Sequence, residues 1–334
     1  MLNNHHEYFT HHYLATRLEE DLKDLLTKWD ETSRAHPDSE AHLPPPRQIR
    51  ALARDFFRLA QRREKDQPPA DLLALQREWL PRFLSPLALP SKPDWRTIGE
   101  KTAAVRLPLL GEITRSSGEP ALWILEALAP HGDPALDPLT LSVAPCQYDG
   151  DPAATDPQLR AKPLPADLSW EEIISRHVFG QAEPPRWALL CSHRHVVLLD
   201  RTKWADKRFL SFDLHELLSR KDEDSLRTTA ALLHRDSLCP GEGQPLHDAL
   251  DDNSHRNAFS VSEKLKDAVR ESVELLGNEA VWYLRNVSKT GLYNRDDQQF
   301  AEELRTACLR YLYRLLFVFY LEARPELGYA PMPP

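Results

Sequence analysis

The sequence has little of what several common enzyme classes require. It contains only 11 glycines in 334 residues, and none belongs to a Gly-rich loop of the kind that cradles a nucleotide phosphate. It also has no Gly-x-Ser-x-Gly segment, so serine hydrolase and NTPase functions lose their main support. The four cysteines lie far apart with no Cys-x-x-Cys pair, which argues against a zinc ribbon or a dense disulfide framework and favours a reducing cytoplasm.

Long apolar runs and an excess of positive charge are also missing. The most apolar stretch, residues 311–321, contains Arg314 and is much shorter than the roughly 17 residues that span a bilayer. The N-terminus lacks the basic and apolar pattern of a secretory signal, so we expect a cytoplasmic protein without a membrane partner. The net charge of -9 means that any contact with nucleic acid must come from a local basic patch.

The pattern of apolar residues predicts an α+β fold in three parts. Helical spacing dominates residues 1–100, with one amphipathic helix over 8–29 and a second over 47–65. Short β-favouring runs fill an α/β module over residues 101–215. Residues 216–334 return to helical spacing and end in a long helix over 297–323. We therefore expect a small mixed sheet framed by N-terminal and C-terminal helical segments.

The strand predictions rest on five apolar segments. VRLPLLGEI (105–113) and ALWILEAL (121–128) are separated by a Ser-Gly turn and predict a hairpin. Ser169 followed by Glu172 forms a capping-box pattern that opens a helix. RWALLC, HVVLLD and FLSFDL then predict three more strands.

The predicted hairpin has the layout of a PD-(D/E)xK nuclease core. Such a core needs two acids on adjacent strands to hold Mg²⁺, and a lysine two residues after the second acid. Glu112 and Glu126 would be the acids, but Leu128 occupies the lysine position. Without that amine the nucleophile lacks its orienting cation, so a degenerate nuclease fold is one interpretation. The other is two glutamates at solvated strand ends.

Arginines form the strongest functional pattern in the sequence. Five of them recur every three or four residues on the second helix and should share one face, here called the arginine row: Arg47, Arg50, Arg54, Arg58 and Arg62. Apolar residues line another face: Ile49, Leu52, Phe56 and Leu59. An outward arginine row matches the phosphate backbone of DNA. The alternative is a solvated face whose arginines pair with acids on neighbouring elements.

Other clusters of basic residues and histidines give weaker signals. Four histidines near the N-terminus miss the His-Glu-x-x-His spacing of a zinc site, so no metal is predicted: His5, His6, His11 and His12. His193 and His195 flank a predicted turn and are expected at the surface. A second basic group falls in a predicted loop, where such charges are usually solvated: Arg201, Lys203, Lys207 and Arg208.

A family resemblance comes from the C-terminal helix. LYRLLFVFYLEARPELG (312–328) resembles a segment that precedes the catalytic domain in large adenine-specific DNA methyltransferases of restriction–modification systems, the type IIG-like enzymes and related phage-defence proteins. WILEAL, PPRWALLCSHRHVVLLDR with FLSFDLHEL, and YFTHHYL near the start add to it, so the resemblance covers most of the chain.

The sequence departs from this family where catalysis would occur. Family members continue into a Gly-rich S-adenosylmethionine loop and an Asn/Asp-Pro-Pro-Tyr/Phe motif that receives a flipped adenine, and neither is present here. The resemblance therefore implies a DNA-engaging portion without a complete active site or cofactor. S-adenosylmethionine would bind only the missing domain, which would dock on the C-terminal helix, and duplex DNA would be the other partner. The alternatives are a non-catalytic interaction module and a Mg²⁺-dependent nuclease.

Overall fold

The apolar segments in the middle of the chain assemble into two sheets. This is seen in the computed structural model, which describes residues 2–36, 42–64, 68–99, 104–129, 137–143, 162–164, 167–289, 297–323 and 329. The chain divides into two compact units, Met1–His255 and Arg256–Pro334. The boundaries expected from the sequence, at residues 100 and 215, both lie inside the first unit.

Nine strands occur in the described ranges: β1 (Leu2–His5), β2 (Asp94–Ile98), β3 (Val105–Leu109), β4 (Gly111–Thr114), β5 (Pro120–Glu126), β6 (Lys162–Pro163), β7 (Trp187–Cys191), β8 (His195–Asp200) and β9 (Phe209–Asp213). Six of them form the larger sheet in the order β1-β9-β8-β7-β5-β4, and the others form a smaller sheet in the order β2-β3-β6. In the larger sheet only β5 and β7 pair in parallel, because the chain crosses from one to the other through an intervening helix.

Twelve α-helices occur in the described ranges: α1 (His11–Thr16), α2 (Leu18–Ala35), α3 (Pro45–Ala51), α4 (Ala53–Arg63), α5 (Pro69–Leu84), α6 (Trp170–Ile173), α7 (Arg201–Trp204), α8 (Leu214–Arg220), α9 (Glu223–Leu233), α10 (Arg235–Leu238), α11 (Leu246–Asn286) and α12 (Asp297–Ala323). The mixed sheet and the helical segments on both sides of it in the chain confirm the predicted α+β class.

The central strands are apolar on both faces because both faces of the larger sheet are covered. Every residue of β5 and β7 is buried. Leu122 and Ile124 face a core shared with Trp79, whereas Trp123 and Leu125 face a second core. Such continuous apolar runs are typical of strands that are covered on both sides.

The predicted strand over residues 105–113 is in fact two strands. The chain turns at Leu110, so that β3 belongs to the smaller sheet and β4 to the larger one. Gly111 marks this junction, since a Cβ built there would overlap the carbonyl oxygen of Pro90. The predicted hairpin is formed by β4 and β5, which pair antiparallel, whereas β3 is not part of it.

The predicted N-terminal helices are each broken once. The first is interrupted at Arg17, between α1 and α2, and the second at Leu52, between α3 and α4. The N-terminal residues were also not predicted to form β1, because LNNH has no apolar alternation. Residues 2–5 form a strand because they pair with β9, and the His5 ring stacks on Phe209 with the ring centroids 4.1 Å apart.

Two helices show how the sequence pattern is realised in the structure. The capping box is confirmed, because the Ser169 hydroxyl accepts from the Glu172 backbone N–H and the Glu172 carboxylate accepts from the Ser169 N–H. The helical spacing over residues 261–276 and 279–285 belongs to a single helix. The structure has one continuous helix, α11, which contains no proline to end it.

Candidate nucleic-acid interface

The arginine row lies where its spacing predicts. All five of its side chains are exposed, although they are divided between α3 and α4 by the break at Leu52. On the opposite side Ile49, Phe56 and Leu59 are completely buried. The predicted orientation of the two faces is therefore confirmed.

The apolar side of α4 is fixed by aromatic packing. The Phe56 ring lies 5.0 Å from that of Trp79 on α5 and stacks on His193 at 5.1 Å with an angle of 8°. Because Phe56 is enclosed by these contacts, α4 cannot roll without losing buried apolar surface. The exposed arginines are thus held in place by the core beneath them.

Acids neutralise the second half of the arginine row. Arg58 contacts Asp55 at 3.1 Å, and Arg62 contacts Glu78 of α5 at the same distance. Arg82 contacts Asp55 at 3.1 Å and so joins the two helices. These pairs are exposed, and such pairs usually contribute little to stability, but they offset the positive charge of this half.

The first half of the arginine row carries no such compensation. Within the described part of the chain Arg47, Arg50 and Arg54 have neither an ion pair nor a side-chain hydrogen bond to an acid. Their guanidinium groups each present donors in a planar fork, which is suited to phosphate oxygens. These three arginines are therefore the part of the row that is available to an anionic partner.

A cavity that the sequence analysis missed opens beside Arg47 and Arg50. It has a volume of about 230 Å³ and lies between α2, α3 and α9. Its walls combine apolar side chains with Trp29 and with the acids Asp30 and Glu223. No pattern in the sequence connects these helices, so only their packing could reveal the site.

The structure does not bring the two nuclease-like glutamates together. Glu112 lies directly opposite Trp123 in the β4–β5 pair, so both side chains are on one face of the sheet. Glu126 is three residues beyond Trp123 and therefore points to the other face, because strand side chains alternate. Glu112 and Glu126 cannot hold one metal ion between them. Among the described residues, no three His, Cys, Asp or Glu side chains are grouped as a metal site requires.

Each of these glutamates instead has an arginine partner. Glu112 contacts Arg96 at 3.5 Å, and the buried Glu126 contacts Arg77 at 3.1 Å and accepts a 3.0 Å hydrogen bond from Gln76. Glu126 is therefore not at a solvated strand end, whereas the side chain of Glu112 is one-third exposed. Burial, with a contribution from the Glu126 charge, raises the pKa of Cys191 on the neighbouring strand, so that thiol stays protonated.

The prediction that His193 lies at the surface is wrong. The ring is buried against Phe56, and burial, together with Arg63 and His215, lowers its pKa to about 3. His195 is half-buried, and burial lowers its pKa as well, against the opposing charge of Asp213. Of the N-terminal histidines, His5 is partly buried in β1, whereas His6, His11 and His12 are exposed.

The second basic group is largely committed to internal contacts. Lys203 lies on α7 and not in a loop, and its amine donates to the Tyr8 carbonyl at 2.9 Å and lies 4.1 Å from the Tyr8 ring centre. Lys207 contacts Glu171 at 2.7 Å, and Arg208 lies 3.7 Å from Asp206. Arg201, by contrast, is exposed and has no ion pair in the described part of the chain, so one of the four predicted cations is available to an anion.

The C-terminal helix carries a large exposed apolar surface. Eight side chains of α12 are at least two-fifths exposed: Leu309, Tyr311, Tyr313, Leu316, Phe317, Val318, Phe319 and Tyr320. A helix that is apolar on most sides is usually buried in the finished assembly. None of the helices in the described ranges combines the length and apolar character that crossing a bilayer requires.

Comparisons with known proteins add no assignment. No family model, no curated protein and no solved structure matches this chain. The resemblance to restriction–modification methyltransferases therefore stays a prediction from the sequence.

Proposed function

We propose that this chain is the DNA-engaging and docking portion of a restriction–modification or phage-defence adenine methyltransferase, without a complete active site of its own. The observation that supports it best is the unpaired half of the arginine row. Arg47, Arg50 and Arg54 are exposed on a rigidly packed surface and have no acid partner in the described chain. Guanidinium groups in this arrangement bind phosphates and release counterions from DNA.

The acidic net charge limits where DNA could bind on the surface. With a charge of -9, most of the surface repels a duplex, so the DNA would contact a local basic patch such as the uncompensated arginines. Phosphate contacts orient a protein on DNA but do not read its sequence. Sequence recognition would then belong to other parts of the complete enzyme.

The docking function rests on a different observation, which is the apolar surface of α12. Aromatic residues are enriched at the centres of protein interfaces, and five of the eight exposed apolar residues of α12 are aromatic. In the proposed enzyme, the methyltransferase domain or subunit covers this surface. S-adenosylmethionine and the target adenine would bind that domain.

A change of charge on the arginine row tests DNA binding. Changing Arg47, Arg50 and Arg54 together to Ala should weaken binding to duplexes of any sequence and reduce the salt-dependence slope by about 0.9 for each lost phosphate contact. Fluorescence anisotropy of a labelled duplex over a series of salt concentrations measures both quantities. The fold should survive, because these side chains lie opposite the buried face of α3 and α4.

The same helix supplies a matched control. Changing Arg58 and Arg62 to Ala removes arginines that already contact Asp55 and Glu78, so the affinity for DNA should fall much less. Equal losses in the two variants would mean that general charge, and not this site, attracts the DNA. No loss in either variant would favour the second candidate, a non-catalytic interaction module. The exposed apolar surface of α12 supports that candidate as well, because it fits a protein partner without DNA.

A further inference from the structure

We propose that the cavity between α2, α3 and α9 binds a single nucleotide, with the base against Trp29 and the phosphate at Arg47 and Arg50. The inference rests on the proposed function, because it uses two arginines of the same row. At about 230 Å³ the cavity is smaller than the roughly 300–1,000 Å³ of sites for drug-sized ligands, which suits one base better than a larger cofactor.

The phosphate end of the cavity is formed by α3. Arg47 and Arg50 lie three residues apart, so both line the cavity from one side of the helix. Both are exposed and have no acid partner within the described ranges. Arg54, the next member of the arginine row, is not among the lining residues. The row therefore contains two arginines that reach the cavity and one that does not.

The base end of the cavity is formed by Trp29 on α2. Its ring is partly buried and packs on His234 with centroids 5.2 Å apart, which fixes the indole while part of it still lines the cavity. The walls also include Arg227 of α9 and four apolar side chains: Leu26, Pro44, Pro46 and Leu226. An indole with apolar neighbours, next to exposed guanidinium groups, is suited to stacking a base whose phosphate stays at the rim.

Two carboxylates give the cavity a preference among bases. Asp30 and Glu223 both line it, and Asp30 has no ion pair in the described part of the chain. Glu223 contacts Arg227 at 2.7 Å and keeps further acceptor capacity. Carboxylates accept hydrogen bonds from exocyclic amino groups, such as N4 of cytosine. Bases with an amino group should therefore bind more tightly than thymine.

The test compares labelled single strands of dA, dC and dT by anisotropy, a labelled duplex, and free dAMP by calorimetry. Changing Trp29 to Leu should weaken binding of dA strands at least about tenfold, through loss of stacking, and leave the salt slope of duplex binding unchanged. Changing Arg54 to Ala should lower the salt slope of duplex binding and leave the binding of dA strands unchanged, because Arg54 belongs to the arginine row but not to the cavity. Binding of dAMP as tight as that of dA strands would identify a free nucleotide as the ligand, whereas much weaker binding would identify a nucleotide within a strand.

Unchanged binding of dA strands and of dAMP by a Trp29→Leu variant that melts like the parent would overturn the inference. If that variant does not fold, Asp30→Asn replaces it, and loss of the preference for dA over dT is then the expected result. Equal binding of dA and dT by the parent protein would also contradict the inference. If the triple arginine variant loses duplex binding while Trp29→Leu leaves the binding of dA strands and dAMP unchanged, the proposed function stands and only the cavity inference fails. If nucleotide binding depends on Trp29 but duplex binding does not depend on the arginines, the cavity inference stands and the proposed DNA-binding function fails.

Discussion

Burial of single histidine side chains controls how they titrate. Burial lowers the pKa of His193 to about 3 and that of His247 to about 4, and both rings therefore remain neutral in the folded protein at pH 7. Unfolding returns them to water, where a histidine pKa is near 6.5. Below about pH 6.5 these two histidines therefore bind protons in the unfolded chain but stay neutral in the folded chain. The two residues stabilise the fold fully above about pH 6.5, and this contribution is lost as the pH falls toward 4.

Replacing His193 with Phe should flatten this pH dependence. Neither ring nitrogen of His193 has a hydrogen-bond partner in the described structure, and the ring stacks on Phe56, so Phe fits the same contacts. We expect stability at pH 7 within about 1 kcal/mol of the parent. The stability lost between pH 7 and pH 5 should be smaller by about 2 kcal/mol. Urea unfolding at the two pH values measures both quantities.

His247 provides the contrast, because its ring is hydrogen-bonded. It lies 3.2 Å from the Tyr8 hydroxyl and 2.8 Å from the Leu232 carbonyl oxygen. Changing His247 to Phe leaves these buried groups without partners and should cost about 1–3 kcal/mol at pH 7. A His193→Phe variant that keeps the pH dependence of the parent would show that His193 is not buried as described.

Element boundaries depend on close contacts as much as on propensity. The junction of β3 and β4 requires glycine at position 111, since the Pro90 carbonyl occupies the space of a Cβ. Changing Gly111 to Ala should destabilise the protein by about 1–3 kcal/mol, as overpacking usually does. Gly241→Ala is the control, because no atom lies within 4 Å of a Cβ built there. Equal urea midpoints for the two variants would refute the close approach at Gly111.

Helical periodicity predicted which face of α3 and α4 is buried, but not where the helices end. Phe56 and the arginine row follow from spacing along one segment, which is a local property. The breaks at Arg17 and Leu52 lack a proline or glycine signal in the sequence. The strand β1 likewise has no apolar alternation and is ordered by pairing with β9. Contacts between distant segments decide such boundaries.

For the whole molecule, the proposed function predicts that the chain alone transfers no methyl group to DNA. It has neither the Gly-rich cofactor loop nor the Asn/Asp-Pro-Pro motif. Radiolabelled S-adenosylmethionine, a duplex and the purified chain should give no labelled adenine. Addition of the catalytic domain in trans should produce methylation. Changing Tyr313, Phe317 and Tyr320 to Ser should weaken that effect, because all three are exposed on α12.

Matched surface changes distinguish docking from general effects. Changing Glu302 and Arg310 to Ser alters the same helix outside its apolar surface, and methylation in trans should remain. Methylation by the chain alone would show that it contains a complete active site and would contradict the proposed function. Equal methylation with parent and triple Ser variant would refute docking through α12.

The sequence alone determined the α+β class, most of the strands and the two faces of the arginine row, because each follows from the period of side chains along one segment. Only the tertiary structure decided which arginines are available. Glu78 of α5 meets Arg62, whereas no described acid meets Arg54. It also placed Trp29 beside Arg47 and put Glu112 and Glu126 on opposite faces of the sheet. These relations depend on which elements become neighbours, and residues far apart in the chain reveal that only after packing.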